Sequence, residues 1–256
     1  MTDDLAAIAR RIVPLVDLTL LNDDDDEARV TALCNRVRSP LGAVAAVCVW
    51  PRFVSHAAHQ VAGRAAIATV VNFPSGNDAP GEVIEDIVAA MHNGATEIDV
   101  VFPYTRFRAG QHEACEQILT AYRQVTTGRT LKVILETGLV SDPHYLRTMC
   151  EIAIRTGADF LKTSTGKTNV GATLAAAEVM LRTIIAAKRP VGLKISGGLR
   201  TTEQVAPYLA LADRLMGLTW VSKATFRVGA SSLIDDLLRQ AGVIKAAPPA
   251  AAKSSY

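Results

Sequence analysis

Along almost the whole chain, β-prone apolar runs alternate with stretches of helical periodicity, and this alternation constrains the fold more than any other feature. Strands are predicted at Pro14–Thr19, Ala43–Trp50, Ala65–Asn72, Glu97–Phe102, Thr130–Thr137, Phe160–Thr165, Val191–Ser196 and Thr225–Gly229. Helices are predicted between them, for example at Asp23–Val37, Gly81–Asn93, His112–Thr126, Pro143–Thr156, Leu174–Lys188 and Thr202–Leu211. Strands joined through helices pair in parallel, because each crossover brings the chain back to run the same way. Eight such units in roughly 240 residues predict an α/β fold, a single-domain TIM (β/α)8 barrel over residues 1–245. A doubly wound sheet needs fewer strands. The eighth strand has the weakest signal. Residues 246–256, which read AAPPAAAKSSY, have the composition of a mobile C-terminal tail.

Composition narrows the function. A chain of 256 residues, 49% apolar, can bury one sizeable core. The net charge is +2 and the basic residues are scattered, with no basic stripe interleaved with aromatics, so no nucleic-acid partner is expected. Cys34, Cys48, Cys115 and Cys150 form neither a close pair nor a metal-finger spacing and read as free thiols in a reducing compartment. The acidic start Met-Thr-Asp-Asp and the lack of a bilayer-length apolar run point to a cytoplasmic protein that does not engage a membrane. His56 and His59 have a metal-like spacing, but no third ligand lies nearby, so no metal is expected. The acidic run Asn22–Glu27 reads as a capped helix start. The sequence leaves homo-oligomerisation open.

Strand parity separates two faces. Val16, Leu18 and Leu20 oppose Asp17 and Thr19; Val47 and Val49 oppose Cys48; Ile98, Val100 and Phe102 oppose Glu97, Asp99 and Val101. Leu131, Val133 and Leu135 oppose Lys132, Ile134 and Glu136; Leu161 opposes Lys162; Val191, Leu193 and Ile195 oppose Lys194 and Ser196. If the apolar faces meet the helices, Asp17, Asp99, Lys132, Glu136, Lys162 and Lys194 share the barrel interior. Glu97, at the start of its strand, is set aside from that group. Packing alone would fill the interior with Val, Ile and Leu, and buried charges are a poor way to gain stability.

Lys162 and Lys194 give the interior its chemistry. A free lysine, with a pKa of about 10.4, is neutral in roughly one molecule in 2,500 at pH 7. Lowering that pKa to ~7 would raise the free amine about a thousandfold and requires about 4.6 kcal/mol. A second ammonium ~5 Å away, at an effective dielectric of ~20, supplies roughly 3 kcal/mol, and desolvation can supply the rest. Two interior lysines on neighbouring strands therefore suit imine chemistry, with Asp99 placed to move protons or hold a water.

The turns after the late strands suit a phosphate. Thr165-Gly166-Lys167, Gly197-Gly198 with Arg200, and Gly229 with Ser231 and Ser232 each put glycine and polar groups where a helix begins. Barrel enzymes often hold phosphate in this region. Thr165–Thr168 also has the look of a P-loop ending, but that motif needs a glycine at position 161, which is Leu161.

In order along the chain, Val16-Asp-Leu-Thr-Leu20, Val47-Cys-Val-Trp-Pro-Arg-Phe53, Val71-Asn-Phe-Pro-Ser-Gly76, Glu97–Tyr104, Lys132–Gly138, Phe160–Lys167, Gly192–Arg200 and Phe226–Ser232 closely resemble the deoxyribose-phosphate aldolases, a class I aldolase family. The resemblance implies reversible cleavage of 2-deoxy-D-ribose 5-phosphate to glyceraldehyde 3-phosphate and acetaldehyde, with small-molecule partners and no cofactor. It implies that Lys162 forms the imine, Lys194 perturbs it and Asp99 relays protons. It places Asp17, Cys48 and Thr165 around the substrate pocket. Some members end in tyrosine, which brings Tyr256 into the same expectation. Ile195-Ser196 departs from the Pro-Ala pair of some members. Other phosphosugar barrel enzymes, and a non-catalytic sugar-phosphate-binding barrel, are the rival readings.

Overall fold

The computed structural model describes residues 4–140 and 142–245. Eight parallel strands close into a barrel: β1 (Val16–Leu20), β2 (Ala46–Val49), β3 (Ala66–Val71), β4 (Glu97–Val101), β5 (Thr130–Ile134), β6 (Phe160–Lys162), β7 (Gly192–Ser196) and β8 (Phe226–Ala230). Helix α1 (Leu5–Ile12) precedes β1. The helices that follow are α2 (Glu27–Cys34), α3 (Val54–Val61), α4 (Pro80–His92), α5 (Tyr104–Arg108), α6 (His112–Val125), α7 (Pro143–Arg155), α8 (Leu174–Ala187), α9 (Thr202–Met216) and α10 (Leu233–Gln240). The predicted (β/α)8 barrel is therefore the observed fold, and β8 joins β1 to close it.

Local chemistry sets many of the element ends. Asp26, Asp142, Thr173 and Thr201 each accept a hydrogen bond from a backbone N–H of the first turn they precede. Pro80 and Pro143 open α4 and α7, where a missing N–H costs nothing. Two strands stop earlier than predicted. β5 ends at Ile134 because Glu136 takes a left-handed backbone, φ 47°, and leaves the ladder. β6 ends at Lys162, and Thr163–Thr165 begin the mouth. Ala43 pairs in a small antiparallel ribbon, Arg38–Ser39 with Gly42–Ala43, so β2 starts only at Ala46. His56 lies on α3, where its ring shares a 2.8 Å hydrogen bond with Thr31.

Parity holds around the barrel. Val16, Leu18, Val47, Val49, Ile98, Val100, Leu131, Val133, Leu161, Leu193 and Ile195 belong to the large core shared with the helices. The inner side carries the charged residues and a small apolar group formed by Leu21, Ala46, Cys48, Ala68 and Val70, against which Trp50 and Phe73 pack. Register then aligns Arg227 with Lys194, Lys194 with Lys162, and Asp99 with Lys132.

Candidate active site

Beneath the C-terminal mouth lies a buried ion network. Asp99 on β4 is shared by three ammonium groups, each 2.8 Å away: Lys132 donates to Oδ1, and Lys162 and Lys194 both donate to Oδ2. Lys194 also lies 2.6 Å from Asp17 Oδ2. Lys132 reaches Glu97 Oε2 at 2.5 Å and lies 3.9 Å from Asp17. Arg227 on β8 completes the circuit, donating to Asp17 at 2.7 Å and to Glu97 at 2.9 Å.

Two members were not anticipated. Glu97 is 4% exposed and belongs to the network, contrary to its exclusion on sequence grounds. Arg227 lies on β8, the strand with the faintest sequence signal. There it alternates with Phe226 and Val228, both in the outer core, and that is the signal that marks it as inward. Glu136 is the opposite case. Its left-handed backbone breaks the alternation, so its carboxylate leaves the ion network and accepts hydrogen bonds from the Thr165 N–H at 3.3 Å, from the Thr165 hydroxyl and from the Thr168 hydroxyl at 3.2 Å.

The electrostatics single out Lys162. Burial lowers its pKa, Lys194 lowers it further, and its one carboxylate, Asp99, offsets this only in part, so the net direction is downward. Burial would also lower Lys194 and Lys132. For Lys194, Asp17 and Asp99 prevail; for Lys132, Asp99 and Glu97 prevail; both ammonium groups are held charged above the ordinary lysine value. Burial would raise the Asp17 carboxyl, but Lys194, Lys132 and Arg227 bring it down to about 2. Asp99 is likewise held well below the carboxylate range: burial opposes, and Lys132, Lys162 and Lys194 win. Burial pushes the Cys48 thiol up.

Above the network opens a cavity of about 300 Å³, with Lys162 in its wall. Thr165, Gly166, Lys167, Gly197, Gly198, Arg200, Gly229 and Ser231 line it. Thr19, Leu21, Asn22, Ser196, Leu199 and Ala230 complete the lining. Asp17, Cys48, Asp99 and Lys194 are fully buried and contribute no wall. Ser232 lies just outside, at the start of α10. Tyr256 lies outside the described residues.

Close backbone contact shapes the rim. A Cβ on Gly171 would lie 2.2 Å from the Gly197 carbonyl oxygen, so the loops after β6 and β7 touch main chain to main chain. A Cβ on Gly229 would lie 3.1 Å from Lys194 Cε and from Ser196 Cβ, so glycine there leaves room for the Lys194 stem. Lys167 crosses the mouth, 3.3 Å from Asp23 and 5.7 Å from the centre of the Trp50 ring. Among the described residues no group of His, Cys, Asp or Glu is arranged to hold a metal ion, and no helix is long and apolar enough to cross a membrane.

A parallel (β/α)8 barrel with a lysine of lowered pKa beneath a glycine-lined, basic mouth defines the lysine-dependent, class I aldolases. This chain belongs to the DeoC/LacD aldolase family, whose sequence model matches residues 11–232. Among solved structures, a candidate deoxyribose-phosphate aldolase from Toxoplasma gondii ME49 is 25% identical, with a TM-score of 0.84 over 93% of this chain and 96% of that one. A candidate deoxyribose-phosphate aldolase from Coccidioides immitis is 26% identical, with a TM-score of 0.79 over 89% of this chain and 85% of that one. The deoxyribose phosphate aldolase of Aeropyrum pernix, described as tetrameric, shares the fold at 22% identity, with a TM-score of 0.75 over 95% of this chain and 100% of that one.

Proposed function

We propose that the protein reversibly cleaves 2-deoxy-D-ribose 5-phosphate to glyceraldehyde 3-phosphate and acetaldehyde through an imine on Lys162. The observation that carries this reading is the position of Lys162. It reaches the cavity, its pKa is lowered, and it has one carboxylate, which it shares with two other lysines. The neutral amine attacks C1 of the open-chain aldehyde, and loss of water gives the iminium. A base then removes the proton of the C3 hydroxyl, the C2–C3 bond breaks, and its electrons pass through C1 to nitrogen as an enamine. Glyceraldehyde 3-phosphate leaves. Protonation at C2 and hydrolysis release acetaldehyde and restore the amine.

Asp99 is the proton carrier in this scheme, acting through a water because its two oxygens already hold three lysines. Lys194 acts by charge and is not the nucleophile, since Asp17 and Asp99 keep it protonated. Gly166, Lys167, Gly197, Gly198, Arg200, Gly229 and Ser231 hold the phosphate, with Ser232 beside them. Asp17 fixes Lys194, and Cys48 packs behind the wall of the pocket. Tyr256 assists proton transfer from the tail. Exposed Leu139, Tyr145 and Val170 support self-association as a homo-oligomer, and four buried free thiols support a cytoplasmic setting.

Borohydride reduction in the presence of acetaldehyde, followed by peptide mapping, tests the reading. An ethyl group on Lys162 is expected. Labelling of Lys194 with Lys162 unmodified, or no label with acetaldehyde at all, would overturn it.

A further inference from the structure

Arg227 and Glu97 reach neither the cavity nor Lys162, yet they close the charge circuit beneath it. The enclosure holds four cations, Lys132, Lys162, Lys194 and Arg227, against three carboxylates, Asp17, Glu97 and Asp99. Three of the cations touch two or more carboxylates: Lys132 meets Glu97 and Asp99, Lys194 meets Asp17 and Asp99, and Arg227 meets Asp17 and Glu97. Lys162 meets Asp99 alone. The surplus positive charge therefore falls on the one cation of these four that lines the cavity.

We infer that Arg227 and Glu97 are positioning residues that set the protonation of Lys162 through the charge balance of this network. The inference rests on the aldolase reading above. Arg227 occupies both Asp17 and Glu97, so neither carboxylate is free to turn toward Lys162. Its guanidinium is fixed on every side: Nε donates to the Lys223 carbonyl, and the Phe160 ring lies 5.5 Å from its carbon. The other groups around Lys162 are Asp99 from β4, Lys132 from β5, Lys194 from β7, Asp17 from β1 and the Cys48 thiol from β2.

The two residues make opposite predictions. Arg227 and Lys162 lie on strands two places apart, roughly 10 Å across the barrel. At that separation and an effective dielectric of ~20, one charge moves a pKa by about one unit. Removing the Arg227 charge stabilises the Lys162 ammonium, so imine formation should need a higher pH. Removing the Glu97 charge destabilises it, so the requirement should fall.

The test is the pH dependence of borohydride-trapped ethyl-Lys162 with acetaldehyde in full-length protein. Arg227→Met should shift the rising limb up by about one pH unit, and Glu97→Gln should shift it down by a similar amount. Arg227→Lys, which keeps the charge, should stay near wild type, and the double variant Arg227→Met with Glu97→Gln should return toward it. Limbs that do not move, or that move in the same direction, in variants that melt cooperatively would overturn the inference. If Arg227→Met does not fold, Glu97→Gln decides: a limb that stays or rises refutes it. Absence of label in wild-type protein would instead defeat the aldolase reading, so the two failures are distinguishable.

Discussion

Replacing Lys194 with methionine removes one positive charge from the immediate surroundings of Lys162 and nearly preserves its length. Both nitrogens sit 2.8 Å from the same oxygen, Asp99 Oδ2, so they lie no more than about 5.6 Å apart. At ~5 Å and an effective dielectric of ~20, their repulsion is roughly 3 kcal/mol, or about two pKa units on Lys162. The variant also leaves Asp99 shared between two ammonium groups, which moves Lys162 in the same direction. The neutral fraction of Lys162 at pH 7 should therefore fall about a hundredfold. The trapping rate with acetaldehyde should fall in proportion and recover when the pH is raised by about two units. Lys194→Arg should keep the limb in place while losing turnover, because the wider guanidinium does not fit beside Gly229. A lowered rate with an unmoved limb would refute the charge argument and leave Lys194 a role through contact alone.

Gly229→Ala should cost roughly tenfold in turnover with little change in melting, because the new methyl displaces the Lys194 stem by a few tenths of an ångström. Ser231→Asp should raise KM for deoxyribose 5-phosphate far more than for unphosphorylated deoxyribose, and Ser232→Asp should do so less, because only Ser231 lines the cavity; equal losses on both sugars would argue against a phosphate site. The depressed Asp17 pKa contributes about 2 kcal/mol of stability above about pH 4, lost as the pH falls toward about 2; acid unfolding followed by circular dichroism should show this slope, weakened by about one proton in Asp17→Asn. Because burial keeps the Cys48 thiol protonated, alkylating reagents should react slowly with it at pH 7 unless the barrel opens.

Much of the site was legible because a closed barrel turns period-two alternation into an inside and an outside. Once Val16, Leu18, Ile98 and Val100 face the helices, Asp17 and Asp99 have only the interior. The same rule misplaced Glu136, because alternation fails once the backbone leaves the extended region, as it does at φ 47°. Glu97 and Arg227 differ again: alternation marks both as inward but does not show what they pair with. Their roles depend on partners 130 residues apart in sequence, and that pairing comes from barrel closure, which no local pattern encodes. Strand ends at the mouth were overestimated because residues after β5 and β6 keep strand-like composition while bonding across loops, as when the Thr137 N–H donates to the Thr163 carbonyl.

The contact of Gly171 with Gly197 has a consequence for altering this protein's substrate range. The two loops meet through main chain on both sides, so lengthening either one, or giving either glycine a side chain, would pry both away from the cavity at once. Libraries built there would mostly report collapse of the rim. The wall at Asn22 and Trp50 is held by a side chain instead: Asn22 lines the cavity, and Trp50, beside Lys167, donates its indole N–H to the Asn22 carbonyl at 3.0 Å. Diversity introduced at those two positions should reshape what the mouth admits while the anion-facing turns stay as they are.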